Sequence, residues 1–265
     1  GGGGLGAERC VRVRVGSTSS VRRACYLDWV ESRRQLVHSL TAASSGGVGY
    51  VHIPDMEESG YADFARQYLK ESATNLALIL DLRGNVGGYS SDLILGRLTQ
   101  RRLGKEQPAF GLSGSVPEHS APADLVILID EHTSSDGECI AQYLVTACGA
   151  ITVGQRTWGG VYAMGESELI DGTLINYPAC ELNLHHNAPK LENTGVVPHI
   201  PVPVTPHDAA RGADAQLEAA VRKAEAVEDL EEDEVPRTRW FGTATHVFLH
   251  AALPPVPPLH QPSRA

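Results

Sequence analysis

Two short segments of this chain hold residue types that could do chemistry together. The first, DEHTSSDGE at 130–138, brings Ser135 to the start of a helical pattern directly after an apolar run. A serine in that place can be a nucleophile, because first-turn amides and the helix dipole favour a developing oxyanion. Ser135-x-x-Glu138 is also a capping box, an ordinary way to satisfy the same amides, and spacing alone favours the cap. The second segment, DLRGNVGGY at 81–89, has three glycines whose backbone freedom would let peptide N–H groups point into a site. A glycine turn after a strand can equally be only a turn. It is not a nucleotide loop, since neither GxxxxGK[ST] nor GxGxxG is present.

A serine hydroxyl is a weak nucleophile at neutral pH, so a base must take its proton. His132, three residues before Ser135, reads as an exposed loop histidine, and His52, within a strand, as a hydrogen-bonded core residue. His185 and His186 are adjacent, point to opposite sides of an extended chain and cannot readily share one metal. HExxH is absent, and the five cysteines (Cys10, Cys25, Cys139, Cys148, Cys180) form no CxxC pair. No metal and no cofactor is expected, and the cysteines read as buried thiols. Asp81 and Arg83 either pair to hold the glycine turn or face a substrate. Trp158, beside Gly159 and Gly160, is expected to pack under the β excursion of 158–178 and not to bind substrate.

The elements that must position these turns can be read from periodicity. VGYVHI at 48–53, LALILDL at 76–82 and LVILID at 125–130 are apolar runs of strand length, suited to burial on both faces. Tyr61, Phe64, Ala65, Tyr68 and Leu69 stripe one face of a helix over about 61–70. Another helix begins near Ser135 and buries Ile140, Leu144, Val145 and Cys148, with a short strand at 151–153. Alternating strands and helices predict an α/β fold, a mainly parallel sheet flanked by helices. From 158 to 178, pieces broken by Gly159–Gly160, Gly165 and Asp171–Gly172 predict a small β excursion of hairpins. A last helix is expected over 214–229, and the Pro-rich 235–265 lies outside the fold.

With 42% hydrophobic and 20% charged residues in 265, the composition is that of a globular protein. Of the net charge of −10, seven acids fall in 225–234, which leaves −3 for the rest. A near-neutral body gives no electrostatic reason to bind nucleic acid or an anionic membrane, and no apolar run approaches the roughly 20 residues of a membrane span. The chain begins with four glycines and no methionine, as though cut, and carries no recognisable leader. The compartment stays open, with the cytoplasm favoured.

DLRGNVGG, ILIDEHTSSDGE, GQRTWGG, LIDGT and LENTGVVPHI follow one another as in the tail-specific (C-terminal-processing) serine peptidases, and the chain resembles their tricorn-protease-core branch. YLDWVE at 26–31 and GYVHIPDM at 49–56 also look tricorn-like. The resemblance implies a crotonase/ClpP-like core and a serine endopeptidase acting through an acyl-enzyme on Ser135. By the same resemblance the oxyanion amides are those of Asp136 and Gly87, with Gly88 as fallback, and Glu192 is the acidic helper that orients the base. That base is expected in a Thr-Ser-His segment ahead of a PDZ domain, and no such segment is present, so activity is expected to be impaired. CVRVRV at 10–15 looks like the last PDZ strand.

The implied organisation is a flexible start and PDZ remnant over 1–25, an incomplete catalytic domain over 26–230 and an acidic, Pro-rich disordered tail over 231–265. Peptides or unfolded proteins are the implied substrates, and a homo-oligomer is possible. Two other readings stay open: a non-catalytic peptide-binding or oligomerisation module of the same fold, and, below it, a crotonase-type acyl-CoA enzyme whose two amides would polarise a thioester.

Overall fold

The computed structural model describes residues 15–41, 47–72, 75–100, 102–110, 114–122, 124–184 and 189–226. In chain order the elements are α1 (Thr18–Leu40), β1 (Val48–His52), α2 (Glu58–Glu71), β2 (Ala77–Asp81), α3 (Ser91–Leu98), β3 (Gly104–Glu106), β4 (Gly114–Val116) and β5 (Asp124–Ile129). After them come α4 (Asp136–Cys148), β6 (Ile151–Gly154), β7 (Ala163–Glu168), β8 (Leu174–Cys180), β9 (Ile200–Pro201), α5 (Pro206–Arg211) and α6 (Ala215–Glu225).

The three apolar runs become adjacent strands of one parallel sheet, ordered β1-β2-β5-β6-β9. Side chains alternate across a strand, so β2 feeds both layers. Leu78 and Leu80 pack with Phe64, Tyr68, Ile94, Ile140 and Leu144 of α2, α3 and α4, while Ala77 and Ile79 pack with Val30, Val37, Leu217 and Val221 of α1 and α6. Burying each large aliphatic side chain contributes roughly 1.5–3 kcal/mol, so the near-continuous apolar runs drive this three-layer arrangement.

Helix α2 covers the expected 61–70 and extends it by a turn; Phe64 and Tyr68 are buried, but Leu69 stays exposed. Helix α6 ends at Glu225 and buries Leu217, Ala220, Val221 and Ala224. The β excursion is the antiparallel pair β7 and β8, exposed along nearly its whole length, with its turn around Asp171 and Gly172.

Helix α1 differs from the sequence reading. It begins at Thr18, with the Ser17 side chain accepting from the Ser20 amide at 3.2 Å, so residues 18–25 are helical and the boundary expected at Tyr26 falls inside an element. Only Val30, Arg34 and Val37 of its 23 residues are buried, too sparse a stripe to announce a helix. Most of the 10–15 stretch, the His185–His186 pair and the tail beyond Ala226 lie outside the described residues. No helix among the described residues is long and apolar enough to cross a membrane.

Candidate active site

Because β2 and β5 are parallel neighbours, the turns that leave them emerge side by side at the carboxyl edge of the sheet, where ligands gather in open α/β sheets. They are then stapled together. The Thr133 hydroxyl donates to the Leu82 carbonyl at 2.8 Å, the Gly84 amide to Asp130 Oδ1 at 2.9 Å, and the Ser134 amide to the Asn85 carbonyl at 2.8 Å. Asn85 is buried, and its side-chain amide donates to the Ile53 carbonyl at 2.9 Å, which also ties the glycine turn to the end of β1.

Ser135 is the N-cap of α4 and has φ 53° and ψ −125°, a backbone region that favours glycine. Holding a non-glycine residue there costs of the order of 1–3 kcal/mol and persists only where surrounding bonds over-determine it. Those bonds are visible. The Ser135 amide donates to Glu138 Oε2 at 3.0 Å, which is the carboxylate half of the capping box, and the Ser135 carbonyl accepts from the Glu138 amide at 2.9 Å.

Gly87, at φ 88°, lies against this turn so closely that an added Cβ would stand 3.1 Å from the Asp136 nitrogen. Its own amide, expected to face an oxyanion, instead donates to Asn85 Oδ1 at 2.9 Å. The next amide, that of Gly88, meets no acceptor among the described residues; the isolated bridge beside it uses the Gly87 carbonyl and the Tyr89 amide with Met56. The Asp136 amide, first in α4, likewise meets none, as the opening N–H groups of a helix do. The Asp136 carboxylate turns away to accept from the Ser91 amide at 3.0 Å and binds α3 to α4; burial pushes its carboxyl above the usual range against those bonds.

The carboxylate of Glu138 is fully buried and accepts, besides Ser135, the Thr157 hydroxyl, the Gly159 amide at 2.7 Å and the Gly160 amide at 3.0 Å. Glu192 Oε2 takes the next two amides, Val161 at 2.9 Å and Tyr162 at 3.1 Å. Asn193 returns from the Glu192 turn to the Gly159 carbonyl at 2.7 Å.

The sequence pattern described as Peptidase family S41 matches residues 47–202, which contain both turns, Glu138 and Glu192. The chain belongs to peptidase family S41. The S41 chain is 36% identical to a tricorn protease homolog of Saccharolobus solfataricus over 214 residues, 80% of this chain and 20% of that protein. With a putative tricorn protease homolog 2 of Streptomyces coelicolor it shares 40% over 215 residues, 80% of this chain and 18% of that one. The crystal structure of the tricorn protease matches with a TM-score of 0.70 and 32% identity, over 76% of this chain and 19% of that chain. The S41 chain thus spans about a fifth of the length of these relatives.

Arg83, Asp81 and His52 have structural partners. Arg83 pairs with Asp81 at 2.6 Å and with Asp214, the N-cap of α6, at 2.8 Å, so it holds the glycine turn and does not face outward. Burial pushes the Asp81 carboxyl up, but Arg83 outweighs this and holds it below the usual range. His52 is buried. Its Nε2 must donate to the Arg83 carbonyl, at 3.2 Å, so Nδ1 accepts from the Tyr26 hydroxyl at 2.9 Å. His132 is exposed on the Ser135 turn, and no histidine among the described residues hydrogen-bonds Ser135.

Other expectations need correction. Trp158 is 66% exposed, not packed under the β excursion; its ring lies over Gly160 and its amide donates to the Thr133 carbonyl at 3.0 Å. Of the described cysteines only Cys139 is buried; Cys148 is intermediate, and Cys25 and Cys180 are exposed on α1 and β8. Sequence reading missed Asn85 as the staple and saw Glu138 only as a cap. Its spacing from Ser135 was the available signal, but three of its four partners lie about twenty residues away.

Proposed function

We propose that this chain is the catalytic region of a serine peptidase that cuts peptide bonds through an acyl-enzyme on Ser135. The observation that carries the reading is a strained serine at the head of a buried-strand-to-helix turn in contact with Gly87, with the amides of the residues that follow each of them, Asp136 and Gly88, meeting no acceptor among the described residues. Attack by the Ser135 hydroxyl on a peptide carbonyl gives a tetrahedral oxyanion, and those two N–H groups stabilise it because they are fixed in advance and need no reorganisation. Gly88 replaces Gly87 in this role, since the Gly87 amide is spent on Asn85.

Glu192 acts as the acidic helper. Its Oε2 is held by two backbone amides, and Oε1 has no hydrogen-bond partner among the described residues, so it can orient the group that deprotonates Ser135. The described histidines are committed elsewhere or exposed, and the reading assigns the general base to a segment outside the described residues. Alone, this chain hydrolyses peptides weakly; an oxyanion hole without its triad still supplies roughly 10³-fold over water in other serine peptidases. Peptides or unfolded proteins are the substrates, in keeping with the tricorn protease relatives.

A fluorophosphonate probe tests this. A longer form that carries the base should be labelled on Ser135, and Ser135→Ala should abolish the labelling. Absence of labelling in the longer form overturns the peptidase reading and favours a non-catalytic peptide-binding module. Turnover of CoA esters that survives Ser135→Ala favours the acyl-CoA enzyme.

A further inference from the structure

Four consecutive backbone amides, those of Gly159, Gly160, Val161 and Tyr162, are each accepted by a glutamate: the first two by Glu138, the next two by Glu192. The Glu138 oxygens also hold the Ser135 amide and the Thr157 hydroxyl, and Thr157 in turn accepts from the Val196 amide at 2.7 Å, just past the Glu192 turn. One fully buried carboxylate therefore touches both the strained serine and the segment that carries the second glutamate's contacts.

We infer that Glu138 is a positioning residue, whose carboxylate sets the Ser135 turn and, through the run of four amides, the place of Glu192 relative to it. All four groups that face Glu138 are donors, two to each oxygen. Only an acceptor at both ends can serve them, which is the physical reason for a carboxylate and not an amide in this buried place. A glutamine must aim its NH₂ at one pair. It should choose the Thr157 side, where the hydroxyl can rotate to accept. The Gly159 amide then loses its acceptor, while Ser135 and Gly160 keep theirs. Alanine leaves all four donors unmet.

The inference rests on the peptidase reading for its catalytic consequence and on geometry alone for its structural one, so the test has two readouts. The first is amide hydrogen exchange in this chain. Glu138→Gln should lose protection at Gly159 by at least about tenfold and retain it at Ser135 and Gly160, whereas Glu138→Ala should lose it at all three. The Ser134 and Trp158 amides, held by Asn85 and Thr133, serve as internal references. If the alanine variant does not fold, the glutamine pattern alone decides.

The second readout is the rate of fluorophosphonate labelling in the base-carrying form. Glu138→Ala should slow the maximal labelling rate by about 10²-fold with little change in probe affinity, the scale of a misplaced reacting group, and Glu138→Gln should recover part of it. Unchanged protection at Gly159 in both variants overturns the inference. Lost protection with wild-type labelling rates overturns the positioning of Ser135 and leaves Glu138 a structural strut. A wild-type protein that is never labelled overturns the peptidase reading alone, and the exchange pattern then decides the inference.

Discussion

A Cβ built on Gly87 would stand 2.6 Å from the Cβ of Ser135, closer than real side-chain carbons approach. The glycine turn after β2 and the serine turn after β5 are thus in direct contact, backbone against side chain. That contact exists because the two strands are paired in parallel and end together, with Asp81 beside Leu128.

Gly87→Ala should therefore disable the site while leaving the fold. The new methyl meets the Ser135 Cβ, which is no flexible chain end, at a position already strained by φ 88°. Displacing the Asp136 and Gly88 amides should reduce fluorophosphonate labelling by about 10²–10³-fold, the usual effect of losing an oxyanion donor. Gly84→Ala is the control: it shares a positive φ, but nothing lies within 4 Å of its added Cβ. Labelling near wild type in Gly87→Ala, with circular dichroism unchanged in both, contradicts the site geometry.

Arg83→Met should destabilise the protein by about 3–5 kcal/mol, the typical cost of removing one partner of a buried pair. Asp81 is fully buried and would keep only two neutral donors, the Tyr50 hydroxyl at 2.8 Å and the backbone amide of residue 83 at 3.1 Å, and Asp214 would lose its 2.8 Å partner on the glycine turn. Urea unfolding monitored by fluorescence gives the value. A change below about 1 kcal/mol would show that the pair is not what holds this turn.

His52 gives the stability a pH dependence of known sign. Burial, its largest cause, depresses the imidazole pKa below the ordinary 6.5, so the folded state binds fewer protons than the unfolded one below that value. Stability is then complete above 6.5 and falls as pH drops toward the depressed native pKa. His52→Gln should flatten the dependence over that window, read from urea midpoints at a series of pH values. Asp81 acts lower: with its folded pKa held down, its contribution is present above the ordinary 3.8 and disappears as pH falls through the folded value. If wild type and His52→Gln have parallel pH curves, the buried neutral imidazole is not the source.

The thiols should separate by environment. Burial pushes the Cys139 thiol up to about 12 and that of Cys148 to about 11, whereas Cys25 and Cys180 are exposed. Because the thiolate is the reactive form, an aromatic disulfide reagent at pH 8 should modify Cys25 and Cys180 in the native protein and Cys139 only on unfolding. Peptide mapping by mass spectrometry identifies the sites. Rapid native modification of Cys139 contradicts its packing in α4.

The local sequence determined a great deal. Three apolar runs, the last two nearly unbroken, are best satisfied by strands covered on both faces, and the 3.6-residue stripes of α2, α4 and α6 supply covers. Ser135 and the glycine turn were legible only as candidates, since helix starts and glycine turns are chemistry over a few consecutive residues; the parts given to Asp136, Gly87 and Glu192 came from the family resemblance and not from local pattern. Helix α1 was not legible: three buried side chains in 23 residues leave its face to be chosen by β1 and α6.

Only the tertiary structure decided that the Gly87 amide is taken up while that of Gly88 meets no acceptor among the described residues, because that depends on where one buried asparagine oxygen lies. It alone gave Glu138 its three distant donors and turned Trp158 outward over Gly160. Periodicity records what a residue must bury. The direction of a single N–H is set by groups dozens of residues away, and no local pattern carries it.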